Sequence, residues 1–482
     1  MDARILKEFR SVVGERGVIS SAEELHTYEC DGLTNFRVMP LAVLLPTSTE
    51  QVQGIVRICH RERIPFVSRG SGTGLSGGAL PVKNGIVISL ARMNKILEVD
   101  LPNQRMVVQP GVINLDVTGR IIGDEYFYAP DPSSQSVCSI GGNVAENSGG
   151  AHCLKYGFTT THVLGLEVVL SDGSLVHLGG KTLDMPGYDL LGVFVGSEGT
   201  LGIATKAILR IVKKPECIRT LLAAFNSTNE AGAAVSEIIA AGMLPAAIEM
   251  MDNLSIQAAE ASVHANYPDC GGLLLVELDG PQAEVETLMD QVDEICRKCG
   301  SWEIRVAQTD AERAVVWKGR KAAFAAVGRI SPNYIVQDGV IPRTALPRIM
   351  SEIERLSAQA GLRVANVFHA GDGNLHPLVL YDNRIAGQEK AAEALATRIL
   401  ELCVEAGGSI TGEHGVGEEK KQMMSKMFAE PDLETMQRVR CAFDPCQLSN
   451  PTKVFPRTRM CGEKPGKYQP HPIEVAGLAE RF

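Results

Sequence analysis

No stretch of the 482-residue chain reaches the ~18–20 consecutive apolar residues a membrane helix needs. Positive charge is also in short supply. Lys and Arg number 47 against 57 Asp and Glu, a net charge of −10, and no basic block stands out. Nucleic acid and anionic membrane are therefore not expected partners. Met1 to Arg10 lack an apolar secretory core, so a cytoplasmic protein is expected. Cysteines are not scarce, at 12, but ordered cysteine spacing is. Cys296 and Cys299 form a lone CxxC, and Val292, Ile295 and Cys296 read as the apolar face of a helix. Cys441 and Cys446 stand equally isolated. This excludes an iron–sulfur site or zinc ribbon, and the thiols are expected to stay reduced. No internal repeat is visible. A composition of 45% hydrophobic and 22% charged residues is ordinary for a globular chain with a real core, and the length suits two or three domains.

Glycine is what the chain has in quantity. Its 48 glycines cluster at 70–78, 141–150, 196–202, 371–373 and 407–417, where backbone must approach something closely or take positive φ. Between the clusters, short apolar runs alternate with amphipathic segments. Residues 41–45 read as a strand. A capping box at Thr47-Ser-Thr-Glu50 then opens a helix carrying Val52, Ile55, Val56 and Cys59, and Ile64 to Val67 return to strand. Further strands are expected at 86–90, 106–109, 163–170 and 174–178, with a long loop over 131–150. Past Lys213-Lys-Pro215 the pattern becomes α+β, with helices at 229–242, 281–299, 351–360 and 387–406 and strands at 273–278 and 364–368. The expected division is 1–215, 216–456 and a tail over 457–482.

Gly72-Thr-Gly-Leu-Ser-Gly77 matches GxGxxG literally. Gly78, Pro81 and Gly85 follow it where a dinucleotide fold needs a helix, so that fold is not expected. Close-set glycines still aim several backbone N–H groups at one place, a nest for an anion such as a pyrophosphate. A second small-residue loop at 130–150 points to an extended phosphate-bearing cofactor. RGSGTGLSGG, YAPDPSSQSVCSIGGNVAENSGG and GYDLLGVFVGSEGTLGIAT resemble the FAD-binding domain of the vanillyl-alcohol oxidase / p-cresol methylhydroxylase flavoprotein superfamily. That resemblance implies an FAD laid between two α/β subdomains, followed by an α+β substrate domain. It implies pyrophosphate contacts at Ser68, Arg69, Gly70, Ser71, Gly72, Thr73 and Gly74. It implies further FAD contacts at Pro130, Asp131, Ser134, Ser139, Gly142, Asn147, Gly149 and Ile203. No histidine lies between Ser68 and Gly78, so the FAD is expected to be non-covalent.

In the C-terminal half, His369-Ala-Gly-Asp-Gly-Asn-Leu-His376 lies between two apolar runs. Asp-Gly there signals a hairpin that would bring the two histidines to facing positions. Glu413-His414 sits in the last glycine cluster. Two His and one Glu are a common ligand set for Zn²⁺, Mn²⁺ or Fe²⁺, although a single loop histidine is more often just hydrogen-bonded to backbone. HxGDGNxH followed by GEHG resembles the FAD-linked 2-hydroxy-acid dehydrogenases, a branch that holds the FAD subunits of bacterial glycolate oxidases, D-lactate dehydrogenases and D-2-hydroxyglutarate dehydrogenases. The resemblance implies that His369, His376 and Glu413 hold a divalent metal, that His414 is the base and that Arg320 grips the substrate carboxylate. It places Asn450 in a closing loop near the flavin, where Thr452 replaces a common glycine. Phe324, one turn beyond Arg320, is a poor host for a second carboxylate.

The expected function is oxidation of a small 2-hydroxy acid, glycolate before D-lactate or D-2-hydroxyglutarate. WKGRKAAFAAVGRISPNY, RVANVFHAGDGNLHPLVLYD and GGSITGEHGVGEEK resemble the bacterial glycolate oxidase FAD subunits, which implies a second flavin subunit and an iron–sulfur subunit as partners, with any attachment to the inner membrane made through them. A non-catalytic flavin subunit would not need the histidine set. A metal hydrolase with a structural flavin lacks its own signature here.

Overall fold

A computed structural model describes residues 1–182, 186–457 and 461. All of the expected tail except Arg457 and Cys461 lies outside the described residues. Three larger sheets carry the described residues, beside a two-stranded ribbon of Tyr126–Phe127 and Val212–Lys213. The first has the strand order Val18–Ile19, Val43–Leu44, Ile86–Ser89, Phe66–Arg69, and its last three strands are parallel. The helix Thr49–Glu62 makes the crossover and buries Val52, Ile55, Val56 and Cys59 against these strands and helix Ala3–Val13. Its cap falls one residue later than the sequence suggests. Ser48 is the N-cap and accepts from Gln51 N, while Gln51 Oε1 accepts from Thr47 N at 2.7 Å. Gln fills the third helical position as well as Glu would.

The second sheet is antiparallel, in the order Ile96–Asp100, Arg105–Val108, Ile203–Arg210, Val163–Val169, Leu175–Gly179. It covers its own core of Met106, Val108, Ile140, Leu166, Phe194 and Leu209. The expected loop over 131–150 is interrupted by the helix Ile140–Glu146, which Ser139 caps by accepting from Gly142 N. Its glycines hide the helical period, but the serine cap and the apolar pair Ile140 and Val144 suffice to start it.

The third sheet has nine strands and is built after residue 216. Cys217–Phe225, Gly272–Gly280 and Ala247–Asp252 form its antiparallel centre, and Val364–His369 pairs with the last of them. Helices Thr228–Ala240, Gln282–Lys298, Leu346–Ala360 and Gln388–Glu405 pack on one face. Helices Asn253–Val263 and Asp310–Val327 cover the other. The chain then returns to the first sheet. Phe66 N donates to Leu448 O at 2.9 Å, and Asn450 N donates to Phe66 O at 2.8 Å, so residues 448–450 line the edge of strand Phe66–Arg69.

The cysteines depart from expectation at one point. Cys441, on helix Glu430–Phe443, is joined to Cys461 by a disulfide, with Cα atoms 5.6 Å apart. A separation of 20 residues with no motif around it left this pair unmarked in the sequence. Cys296 and Cys299 are free, and Cys296 is core as expected.

Candidate active site

A cavity of about 1040 Å³ runs between the three sheets. Ser68 to Gly74 line one side, and Ser134, Ser139, Gly142 and Ile203 continue it. Glu413 and His414 line it from the C-terminal half. The glycines keep the wall open. A Cβ on Gly70 would run into Ser139 Oγ, and one on Gly199 would stand 2.9 Å from Ser68 Oγ. Gly72 has φ +73, which only glycine adopts at little cost. The Arg69 side chain folds back under Gly72 and over the Tyr28 ring, and donates to Cys30 O.

The other expected flavin residues support the wall from behind. Pro130 O accepts from Asn114 Nδ2. Asp131 accepts from His152 Nδ1 at 2.8 Å. Asn147 has φ 53, and its Oδ1 accepts from Thr160 N. A Cβ on Gly149 would stand 2.8 Å from Glu413 Oε2. Asn450 is buried and donates to Gly78 O and Glu198 O at 2.8 and 2.6 Å.

The histidine cluster lies just behind the Glu413 side of the cavity. In the hairpin, His369 faces Asn374 in register, so His376 is its diagonal neighbour on the same face rather than its direct partner. The rings still meet, with centroids 5.1 Å apart. Glu413 Oε1 stands 3.4 Å from His369 Nε2 and 3.3 Å from His376 Nε2. All three residues are more than nine-tenths buried at the side chain. The His414 ring stacks on His376 at 5.0 Å and 4°, with Nε2 3.9 Å from Glu413 Oε1.

Three residues that sequence reasoning missed hold this cluster. Glu249, on strand Ala247–Asp252, accepts from His369 Nδ1 at 2.8 Å, and its other oxygen lies 2.5 Å from Arg320 Nη2. Asp338 receives the turn that carries Glu413 and His414. Its carboxylate accepts from Thr411 Oγ1 and from the N–H groups of Gly412, Glu413 and His414 at 2.5–3.2 Å. Lys420 Nζ is 3.5 Å from that carboxylate. Asp338-Gly339 reads as a turn signal, and Glu249 lies 120 residues from His369, so neither announces its partner. The available signal was a charged residue inside a short, mostly apolar run, residues 247–251. Arg320 is buried at 3% exposure beside the Phe324 ring, ion-paired to Glu249 through Nη2, and its Nε lacks a hydrogen-bond acceptor.

Burial works against every charge here, and the neighbours decide the outcome. Burial would raise Glu413, but His369, His376 and His414 hold its carboxyl at about 2. Burial lowers His369, yet Glu249 and Glu413 push it well above the usual histidine range. Burial pulls His414 down to about 4 against the attraction of Asp338. His414 is thus a neutral imidazole at pH 7, able to accept a proton.

The cluster suits a divalent cation. Both His376 ring nitrogens and Glu413 Oε2 are buried without a hydrogen-bond partner, and a ligand histidine commonly donates its far N–H to a carboxylate, as His369 does to Glu249. The His369, His376 and Glu413 ligand atoms lie within 4.8 Å of one another.

A family model described as FAD linked oxidases, C-terminal domain, matches residues 214–454. The chain belongs to that family. A second model, FAD binding domain, matches residues 40–179, and the chain is an FAD-binding oxidoreductase. It is 51% identical to the glycolate oxidase subunit GlcD of Escherichia coli K12, over 95% of this chain and 92% of that one. It is 40% identical to the Bacillus subtilis GlcD over 89% and 92%, and 30% identical to a D-lactate dehydrogenase of Anaerostipes hadrus over 93% and 97%. Among solved structures, p-cresol methylhydroxylase with substrate bound superposes with a TM-score of 0.79 at 19% identity, covering 94% of this chain and 96% of that one. This bears out the two-subdomain flavoprotein fold with its α+β partner domain. No helix among the described residues is long and apolar enough to cross a membrane.

Proposed function

We propose that the chain oxidises glycolate to glyoxylate. The observation that carries this is a neutral His414 at the rim of a flavin-sized cavity, stacked on a buried His/His/Glu set, in a chain similar to glycolate oxidase subunits along nearly its whole length.

Ser68 to Gly74 would hold the FAD pyrophosphate on backbone N–H groups, with Ser134, Ser139, Gly142 and Ile203 along the same wall and Asn147, Gly149 and Asn450 shaping it. His414 is the only histidine that lines the cavity among the described residues, and both ring nitrogens of nearby His152 are engaged by Asp131 and Glu277. Attachment of the FAD is therefore non-covalent. When bound, flavin supplies the hydride acceptor, and a metal on His369, His376 and Glu413 supplies Lewis acidity toward the hydroxyl. The protein's own part is positional. Arg320, held by Glu249 through Nη2, offers its unmet Nε donor to the carboxylate. His414 accepts the hydroxyl proton while the carbinol carbon loses hydride. Phe324 closes the site to a second charged group, which favours a short acid.

The chain serves as one subunit of a complex that passes electrons to a second flavin subunit and then an iron–sulfur subunit. Its location is the cytoplasm, with any inner-membrane attachment made through those partners. The test is anaerobic titration of the yellow holoenzyme with glycolate, D-lactate and D-2-hydroxyglutarate. Glycolate should bleach the flavin at the lowest concentration. Bleaching by D-lactate alone would reassign the substrate, and bleaching by none would end the oxidase reading.

A further inference from the structure

Lys420 is 1% exposed, lines the large cavity and has no hydrogen-bond acceptor at Nζ. An ammonium has three N–H donors, and burying it unmet is costly. Its close charge partner, Asp338, stands at 3.5 Å and is already occupied by the turn at 411–414. Lys420 Nζ therefore has donors to offer a group in the cavity it lines.

The turn that carries Lys420 is fastened to the N-terminal cradle. Val416 N and Gly417 N donate to the Glu198 carboxylate at 2.7 and 2.6 Å. Glu418 N and Glu419 N donate to Ser76 O at 2.9 and 3.1 Å. The surroundings are acidic, since Glu146, Glu198, Glu413 and Glu419 line the same cavity and Asp338 lies behind it. Lys453, a second buried cation nearby, donates to Leu80 O. Arg320 is ion-paired with Glu249 beside the histidine cluster and is not among the residues that line the cavity. Lys420 is left facing whatever fills the cradle.

We propose that Lys420 sets its ammonium against the flavin ring and offsets the negative charge that arrives with the hydride. The inference rests on reading the cavity as the site of FAD and a 2-hydroxy acid. In the reaction, the hydride carries two electrons and a proton from carbinol carbon to flavin, and the hydroxyl proton passes to His414. The carbinol becomes a carbonyl. The flavin gains one negative charge, which would otherwise face an uncompensated acidic wall.

The experiment compares wild type, K420M and K420R as purified holoenzymes, reading FAD content, the two-electron midpoint potential and the affinity for sulfite, a nucleophile that adds negative charge to flavin. K420M should keep FAD and be at least tenfold harder to reduce, a fall of 29.6 mV or more for two electrons. Its sulfite affinity should fall at least tenfold, and K420R should recover most of both. An unchanged potential in K420M overturns the proposal, even if glycolate binding weakens. If K420M cannot retain FAD, K420R decides: a near-native potential supports the proposal, and loss of FAD there as well overturns it. A wild-type flavin that no hydroxy acid bleaches would sink the substrate reading alone, because the potential shift does not depend on substrate.

Discussion

The glycine cradle and the histidine cluster share a cavity but are made of opposite materials. The cradle is backbone: its residues contribute N–H groups and the absence of a Cβ, and their side chains are small or folded away. The cluster is side chain: His369, His376 and Glu413 meet as buried rings and a carboxylate, with His369 held by Glu249 and Glu413 by the turn bonded to Asp338. A backbone site fails by being filled, whereas a side-chain site fails by losing a partner. Substitutions should therefore separate flavin retention from chemistry.

The largest effect is expected from His414→Ala. Loss of the base should lower kcat by about 10²–10⁴-fold while FAD content and KM change little, as read by steady-state kinetics and absorbance. A normal kcat would remove His414 from the mechanism. Next comes Glu249→Gln, at a residue that does not line the cavity. Metal affinity should weaken by about 10–100-fold, measured by titrating apo-protein with Zn²⁺ or Mn²⁺ under competition. Unaltered metal affinity would show that the His369–Glu249 hydrogen bond does not position the ligand. Gly70→Val tests the other half. Its side chain displaces Ser139, so purified protein should be colourless and less stable by about 1–3 kcal/mol, with metal binding intact. A yellow variant would mean that the cradle lies elsewhere.

The smallest effect concerns the seam between the halves. His152 bridges Asp131 in the N-terminal half to Glu277 in the third sheet. Burial opposes its charge, but the two carboxylates raise it to about 10. Its folded value exceeds the unfolded value of about 6.5, so its stabilisation is complete below that pH and is lost as pH rises toward about 10. Wild type should thus lose more thermal stability than H152N between pH 6.5 and 10. Equal slopes in the two melting curves would dismiss the bridge.

The same contrast explains what could be read before the fold was known. Backbone sites write themselves as local composition, so the cradle at 68–78 and the small-residue segment at 130–150 were visible, as were most strands and helices with a clean apolar period. His369, His376 and Glu413 stood out because their glycine-rich surroundings did. Glu249, Asp338 and Lys420 did not, because their meaning lies in partners brought close by the third sheet and the turn at 411–414. The cap at Ser48, the helix Ile140–Glu146 and the Cys441–Cys461 pair were missed for smaller reasons: a one-residue ambiguity between adjacent hydroxyls, a helix rich in glycine, and a bond that composition does not encode.

Residues 448–450 close the edge of the strand that enters the glycine cradle. That arrangement sets a schedule. The cradle's own residues leave the ribosome early, but the segment that bridges to Phe66 arrives only after the whole third sheet. At about 5–20 residues per second, this delay is on the order of tens of seconds. Until then the cradle has one open flank, and the nascent chain should acquire its flavin last, after the domain that carries the histidines has taken shape.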